Sequence, residues 1–480
     1  MNKEYLVYKL ADRVKVTSRI DSTLFQQYGV KRGLRNEDGS GVLVGLTNIG
    51  NVVGYERQAD GSMKPTEGRL YYRGYELKDL TRPILEAGKR FGYEETAYLL
   101  LSGDLPDAEE LESFAELLNS RMALDHRSLV HIIDLEGSNI MNILSRCVLE
   151  MYTFDPTPEE VSRDNQMRQA VDLIAKFPTI IAYAYNCYRH SVQGKGLHIR
   201  HPKEGLSLAE NFLWMLRGDY TPMEARMLDL LMITQAEHGG GNNSTFTVRV
   251  TSSTQTDIYS SIAAGIGSLK GRLHGGANMM VADMFRHLRG EIKNWEDPSE
   301  IDQYLMRMLR GEAYDRSGLI YGLGHAVYTL SDPRAMTLKR MASTLAAEKG
   351  FEREFNFLKL VEERGLDCIA RVHGGGRPIC ANLDFYSGFI YEMIGIPLEL
   401  YTPIFAMSRI VGWCAHRLEE LNFEDRRIIR PAYMNVAGER RYKPMEKRSA
   451  RAIAFANSLI HSDIPLYWCT ARCTSAALCR

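Results

Sequence analysis

Apolar residues recur every three or four positions in several stretches of this chain, the spacing that puts them on one face of an α-helix. Residues 207–218 are the clearest example, because Ser207 is a suitable N-cap, Glu210 completes a capping box, and Gly218 is a suitable stop. The same start and stop signals bound two further predicted helices, residues 221–233 and 331–350.

Strand-like patterns are confined mostly to the beginning of the chain. Residues 41–55 and 68–75 are bounded by glycines and rich in β-branched and aromatic residues, which predicts a small sheet. No repeat period, low-complexity segment or obvious linker is present. The pattern therefore predicts an all-α, mainly helical protein with a short N-terminal β element.

Composition narrows the class of partner. The chain has 480 residues, 45% of them apolar, and a net charge of -1, which predicts a large globular core without the basic surface that nucleic acids or anionic membranes attract. The most apolar stretch, residues 177–188, is shorter than the ~20 residues a membrane span needs. The first residues do not resemble a secretory signal. We expect a cytoplasmic protein with no nucleic-acid or membrane partner.

The cysteines give no metal-binding pattern. Five of the eight are widely scattered, as expected of reduced thiols in a cytoplasmic core. The other three, Cys469, Cys473 and Cys479, lie in the tail beside His461 with a spacing that matches no standard zinc site. We predict no metal site.

Four histidines lie beside glycines. His-Gly-Gly runs begin at His238, His274 and His373, and His325 follows Gly324. Glycine leaves the backbone open to a ligand, and imidazole exchanges protons near neutral pH, so these positions suit acid–base chemistry. The alternative for the segment SLKGRLHGGANMM is a helix that ends at a glycine stop, with an incidental histidine.

Asp384 and three arginines are further candidates. Asp384 lies in the apolar stretch ANLDFYSG, where poor solvation would make a carboxylate a stronger base, although a helix N-cap is an equal alternative. Arg334, Arg409 and Arg430 each lie in apolar surroundings and could clamp a carboxylate or phosphate, or form structural ion pairs.

Two other motif interpretations have little support in the sequence. Residues 265–271, GIGSLKG, lack both the Gly-Lys-Ser/Thr ending and the strand-to-helix context of a phosphate loop. A histidine–aspartate metal cluster has less support, because no HExxH or similar ligand pair is present.

Taken together, five segments resemble the citrate synthase family in order and approximate spacing, over about residues 41–445. They are ITQAEHGGGNNSTFTVRV, SIAAGIGSLKGRLHGGAN, YGLGHAVYTLSDPRA, ANLDFYSG and AMSRIVGW. The family joins the methyl carbon of acetyl-CoA to the ketone of oxaloacetate and hydrolyses the resulting thioester. The resemblance implies that Asp384 is the base, that His274 acts at the thioester carbonyl, and that His325 protonates the ketone oxygen.

The resemblance also assigns the binding residues. Five positions match the oxaloacetate pocket, with Ser244 orienting His274: His238, Asn242, Ser244, Arg334 and Arg409. Arg430 matches an arginine that reaches across from a second subunit, which implies a homodimer. Five positions are assigned to CoA: Leu319, Gly322, Gly324, Arg377 and Asn382. No metal or redox cofactor is implied, because the CoA thioester is a substrate.

The family's architecture implies a large helical domain, residues 1–278 plus 384–480, that forms the dimer. Residues 279–383 would form a smaller, mobile, CoA-binding domain. Gln235 departs from the pattern, since many members have a histidine there. Three alternatives stay open: a 2-methylcitrate synthase that uses propionyl-CoA, a non-catalytic CoA-binding regulatory paralogue, and a metal-dependent hydrolase.

Overall fold

The computed structural model describes residues 3–36, 40–60, 62–135, 137–374 and 378–448. Helices dominate this part of the chain, which confirms the predicted mainly helical class. In chain order the first nine are α1 Lys3–Thr17, α2 Thr23–Gln27, α3 Leu77–Ala87, α4 Gly92–Ser102, α5 Ala108–Arg121, α6 His126–Asp134, α7 Ile140–Phe154, α8 Arg163–Ser191 and α9 Leu208–Arg217. The next nine are α10 Pro222–Gln235, α11 Asn243–Ser252, α12 Ile258–Leu269, α13 Ala277–Glu291, α14 Pro298–Leu309, α15 Pro333–Lys349, α16 Glu352–His373, α17 Leu383–Met393 and α18 Tyr401–Asn422.

The chain forms two compact units. One contains the described residues up to 44 and those from 431, and includes α1 and α2. The other, residues 45–430, contains the sheet and helices α3 to α18. The predicted inserted domain, residues 279–383, lies within this second unit and stays a prediction.

The sheet has three antiparallel strands, β1 Gly50–Arg57, β2 Met63–Tyr72 and β3 Tyr75–Glu76, in the order β1-β2-β3. The predicted strand is therefore wrong over residues 41–49. Leu43 and Leu46 are exposed there, and pairing with β2 begins only at Gly50.

The predicted caps are confirmed. Ser207 and Glu210 form a capping box at the start of α9, and Gly218 ends it in the left-handed region, with φ 91°. Thr221 and Glu224 form a second capping box at the start of α10. At α15 the cap is Asp332, whose side chain accepts the Arg334 N–H.

Helix α18 is the centre of the core. It is buried along most of its length and packs against α4, α8, α10, α11 and α12. Burial on all sides makes it a rigid support for polar side chains that point from it into the molecule.

The sheet lies directly on the segment that follows His325. A Cβ on Gly54 would lie 2.5 Å from the Val327 carbonyl oxygen, and one on Gly68 would lie 2.1 Å from that of Ser331. Only glycine permits such close approach of two backbones. The two glycines thus fix the β1–β2 hairpin against residues 327–331.

In the described part of the chain, no helix combines the length and the apolar character required to cross a bilayer.

Candidate active site

The turn between α10 and α11 carries His238. The Tyr72 hydroxyl donates to the carbonyl oxygens of Ile233 and Glu237, at 2.9 and 3.2 Å. Arg409 Nε donates to the Gln235 carbonyl oxygen at 2.6 Å. These bonds tie the end of α10 and the start of the turn to β2 and α18, and so fix the turn.

His238 and His325 form a stacked pair. Their rings are 5.1 Å apart and nearly parallel, and their Nε2 atoms are 3.2 Å apart. His325 Nδ1 accepts the backbone N–H groups of Val327 and Tyr328, each at 3.1 Å. Since Nδ1 accepts, the N–H of a neutral His325 ring is at Nε2, and that atom faces His238.

His274 lies in a tight turn between two helices. α12 ends at Leu269, and α13 begins at Ala277. A Cβ on Gly275 would lie 2.4 Å from the Leu269 carbonyl oxygen, so this glycine allows the turn to close. The alternative of a glycine helix stop is wrong, because the C-cap of α12 is Lys270, in the right-handed helical region.

Ser244 holds the His274 ring. Its Oγ lies 3.1 Å from His274 Nε2, accepts the Trp413 indole N–H at 3.2 Å, and lies 2.9 Å from Asn242 Oδ1. Because tryptophan only donates, the single hydroxyl proton goes to either Asn242 or His274. Burial, and then the Arg409 charge, lower the pKa of His274 to about 4, so its ring is neutral at neutral pH.

Asp384 lies in the first turn of α17. The N-cap of this helix is Asn382, whose side chain accepts the Asp384 N–H at 2.9 Å, so the prediction of Asp384 as N-cap is wrong. Among the described residues, the Asp384 carboxylate has no hydrogen-bond or ion-pair partner. Burial raises the pKa of Asp384 to about 6, against the opposing charges of Arg334 and Arg409.

A short backbone pairing joins the His325 loop to α17. Asn382 N–H donates to the Gly322 carbonyl oxygen and Gly324 N–H to that of Cys380, both at 2.8 Å. The Asn382 side chain donates to the Gly324 carbonyl oxygen at 2.9 Å. Both glycines have φ in the left-handed region, 84° and 97°, so the loop conformation depends on them.

Arg334 is paired, in agreement with the structural alternative. Its Nε and Nη2 donate to the two carboxylate oxygens of Asp332, at 3.0 and 2.7 Å, and both residues are buried. Asp332 also accepts the Leu383 N–H at 3.2 Å, so the pair is tied to the start of α17.

Arg409 is placed differently. It is fully buried on α18, and in the described part of the chain its Nη1 and Nη2 atoms have no hydrogen-bond partner. Burial lowers the pKa of Arg409 to about 10, which still leaves it charged at neutral pH. A buried cationic fork with both terminal nitrogens available fits a carboxylate of a ligand.

The charges of the two arginines act on the candidate histidines and on Asp384. The charge of Arg409 lowers the pKa values of His238, His274 and Asp384, and that of Arg334 acts on His238 and Asp384. For His238, burial is the largest cause and holds the pKa well below its ordinary value. His238, His274 and Asp384 therefore all lie within electrostatic range of the buried Arg409 guanidinium.

The remaining predicted residues lie outside this group or outside the described residues. Arg430 is exposed in the irregular segment after α18, with no hydrogen bond or ion pair to described residues of its own chain. Leu319 is 55% exposed in the loop before Gly322. Arg377 lies outside the described residues. His373 ends α16 and is exposed.

Sequence reasoning missed three residues that hold the site. Asp332 fixes Arg334, Trp413 fixes Ser244, and Tyr328 stacks on the His325 ring at 4.8 Å. Asp332 had a signal, since an acid two residues before an arginine at a helix start can both cap and pair. The Trp413 contact joins residues far apart in the chain and leaves no local pattern.

Comparisons with known proteins decide the family. The family model for the citrate synthase C-terminal domain matches residues 38–432. The chain belongs to the citrate synthase family. Within the family, a citrate synthase from Haloferax volcanii is 37% identical over 371 residues, 76% of this chain and 88% of the relative. A 2-methylcitrate synthase from Corynebacterium glutamicum is 33% identical over 430 residues, 88% and 99% of the two chains.

A solved family structure matches the fold. The citrate synthase of Thermoplasma acidophilum, in a ternary complex with carboxymethyl coenzyme A and oxaloacetate, is 27% identical with a TM-score of 0.71. The match covers 87% of this chain and 99% of that one.

The raised pKa of Asp384 predicts an effect on stability. Since the pKa is about 6 when folded and about 3.9 when unfolded, ionising Asp384 costs stability as pH rises through 6. Asp384→Asn should raise the free energy of unfolding at pH 8 by roughly 1–2 kcal/mol, allowing for partial exposure, and by less at pH 4.5. Urea denaturation at the two pH values measures this.

Asp302 provides a control of opposite sign. The hydrogen bond from Arg364 is the largest cause that lowers the pKa of Asp302 to about 2. Its stabilisation is therefore present above about pH 3.9 and is lost as pH falls through 2, so Asp302→Asn should destabilise the protein at pH 8. An Asp384→Asn protein less stable than wild type at pH 8 would contradict the account.

Proposed function

We propose that this protein condenses acetyl-CoA with oxaloacetate and hydrolyses the product thioester to give citrate and CoA. The observation that carries the proposal is that His274 and Asp384 both lie within range of the buried Arg409 charge, and that His325 stacks on His238, which the same charge reaches. The ligands of the Thermoplasma acidophilum structure support the two substrates.

Asp384 takes the first proton. The acetyl methyl group is a very weak acid, so its base must be ionised at neutral pH yet stronger than an ordinary carboxylate. A pKa of about 6 meets both requirements. The proton moves from the methyl carbon to the Asp384 carboxylate, and the electron pair moves onto the thioester oxygen.

His274 stabilises the oxygen of the resulting enol. The Ser244 hydroxyl can turn from Asn242 and donate its hydrogen bond to His274 Nε2. The neutral ring then carries its own proton at Nδ1 and can donate a hydrogen bond to that oxygen. Burial keeps the ring neutral, so it donates a hydrogen bond without needing a proton from solvent.

The enol carbon then attacks the ketone carbon of oxaloacetate, and a carbon–carbon bond forms. His325 has its N–H at Nε2, because two backbone N–H groups fill Nδ1, and it gives this proton to the ketone oxygen. In the hydrolysis the water oxygen joins the acyl carbon, the carbon–sulfur bond breaks, and one water proton leaves with the sulfur as the CoA thiol. The proton that Asp384 took returns to His325 through water, which restores both groups. The condensation and the hydrolysis involve no net oxidation or reduction, so the reaction needs no redox cofactor. The CoA thioester is a substrate.

Oxaloacetate carries two carboxylates, and two buried arginines suit them. Arg409 has both terminal nitrogens available, and Arg334 is held in place by Asp332. His238 and Asn242 lie on the adjoining turn and complete the pocket. One carboxylate of the dianion would thus pair with Arg409, and the other would contact Arg334, which Asp332 already orients.

The CoA side of the site is formed by Leu319, Gly322, Gly324 and Asn382. The left-handed glycines hold the shape of this loop beside His325, and the exposed leucine offers an apolar contact to a pantetheine chain. Closure of residues 279–383 over this side would exclude water until both substrates are bound. We expect the enzyme to act in the cytoplasm, which its five described, unpaired and buried cysteines support.

Measurement of CoA release with a thiol reagent tests the function. We expect release from acetyl-CoA that requires oxaloacetate, and a loss of about 10²–10⁴-fold in kcat for Asp384→Asn, because the base is removed. Asp302→Asn, at a paired carboxylate outside the proposed site, serves as the control, with kcat near wild type. Propionyl-CoA in place of acetyl-CoA distinguishes a 2-methylcitrate synthase, which the Corynebacterium glutamicum relative keeps as a second candidate.

No release with either thioester, from folded protein, would contradict the enzymatic function and favour a regulatory CoA-binding role. Activity that a chelator abolishes would instead indicate a metal-dependent reaction.

We also propose that the enzyme is a homodimer in which Arg430 completes the partner's oxaloacetate site. Arg430 is exposed, and among the described residues of its own chain it has no partner. A guanidinium in that state is available to a ligand bound by a second copy.

Mixed dimers test the shared site. An Arg430→Ala chain keeps its own Asp384, and an Asp384→Asn chain supplies Arg430, so one site in each mixed dimer should be intact. An equal mixture should recover about a quarter of wild-type activity, since half of the dimers are mixed. No recovery, despite subunit exchange shown by differently tagged chains, would contradict action across the interface.

A further inference from the structure

A buried carboxylate next to His238 takes no part in the proposed reaction. Glu237 is fully buried, and its Oε1 accepts the Gly239 N–H and, at 2.9 Å, His416 Nε2. Burial alone would raise the pKa of Glu237, but its contact with His416, the Arg409 charge and the Gly239 N–H hold it below its ordinary value. The group is therefore an ionised carboxylate in the core.

The orientation of His416 is fixed from its other side. Arg249 Nη1 donates to His416 Nδ1 at 2.8 Å and to Glu419 at 2.7 Å, and Arg249 Nη2 is 2.8 Å from Glu420. An arginine can only donate, so His416 Nδ1 accepts. The ring N–H is then at Nε2 and is donated to Glu237.

The His416–Glu237 hydrogen bond belongs to a set of contacts made by one face of α18. Arg409, Trp413 and His416 lie at the i, i+4, i+7 spacing, which places them on one face of the helix. Arg409 bonds to the carbonyl oxygen of Gln235, Trp413 to Ser244, and His416 to Glu237. One face of one rigid helix thus holds the whole segment between α10 and α11.

Neighbouring glycines leave the Glu237 carboxylate no alternative position. A Cβ on Gly50 would lie 2.6 Å from Glu237 Oε1, and one on Gly412 would lie 2.6 Å from Oε2. The carboxylate is enclosed between the first residue of β1 and α18. Glu237 Oε2 has no hydrogen-bond partner among the described residues. Loss of the His416 bond would therefore leave the buried charge with the Gly239 N–H alone, and the turn would have to shift to satisfy it.

We propose that His416 and Glu237 are positioning residues for the oxaloacetate site, whose hydrogen bonds hold the His238 turn at a fixed distance from Arg409 on α18. The inference rests on the proposed function, because it names what sets the geometry of that substrate's site. A shift of about 1 Å in such a group can reduce a rate by about two orders of magnitude.

Two amide substitutions separate the two bonds of His416. The nitrogen of His416→Gln lies where Nε2 lies and can still donate to Glu237. The oxygen of His416→Asn lies where Nδ1 lies and can still accept from Arg249, but this side chain is too short to reach Glu237. We expect His416→Asn to lower kcat/KM for oxaloacetate about tenfold or more, mainly through KM, and His416→Gln to stay within about threefold of wild type.

Ile410→Val, in the core on the same helix, is the control for lost stability without a lost polar contact. It should lower the thermal midpoint and leave kcat/KM unchanged. The proposal is overturned if both amide variants keep wild-type kcat/KM at a lowered midpoint, if both lose it equally, or if only the asparagine variant keeps it.

A measurement on the wild-type protein covers the case in which a variant does not fold. Histidine ¹⁵N NMR should show the His416 proton on Nε2 and none on Nδ1, and a proton on Nδ1 would overturn the proposal. The wild-type protein also distinguishes failure of the proposed function from failure of the positioning role. No CoA release from it refutes the proposed function, whereas release with unaffected variants refutes only the positioning role.

Discussion

The candidate active site depends on a cation buried in the core. Arg409 lies on α18, the most completely buried helix, and placing a charge there costs several kcal/mol unless other groups compensate. The Gln235 carbonyl oxygen and the nearby charge of Glu237 compensate it without occupying its terminal nitrogens. The arginine is thus stabilised while its two terminal nitrogens have no hydrogen-bond partner among the described residues, which is the state that the proposed carboxylate contact requires.

The same charge sets the chemistry of its neighbours. Burial favours the neutral forms of His274 and Asp384, and Arg409 pushes both pKa values down. For His274 the two effects act together and give a ring that is neutral at neutral pH. For Asp384 they oppose each other, which leaves a carboxylate that is ionised at neutral pH but more basic than an exposed one. A neutral donor and a strengthened base are the pair that removal of a proton beside a carbonyl requires.

Much of this was accessible from sequence. Helix caps at Ser207 and Thr221 were read correctly because capping is local, and the motif order identified the family over most of the chain. The predicted strand over residues 41–49 is wrong, since Leu43, Val44 and Leu46 are exposed and pairing with β2 begins only at Gly50. Contacts such as Trp413 with Ser244 join residues 169 positions apart, and no local pattern encodes them.

Binding of a dicarboxylate to the buried arginine is the central claim, and calorimetric titration tests it most directly. Oxaloacetate should bind the wild type about 100-fold more tightly than pyruvate, which has a single carboxylate, because one or two charged hydrogen bonds to Arg409 are lost. Arg409→Leu should weaken oxaloacetate binding by a similar factor and bring the two ligands within about tenfold of each other. Equal affinities of wild type for both ligands, or unchanged oxaloacetate affinity in Arg409→Leu, would contradict the account.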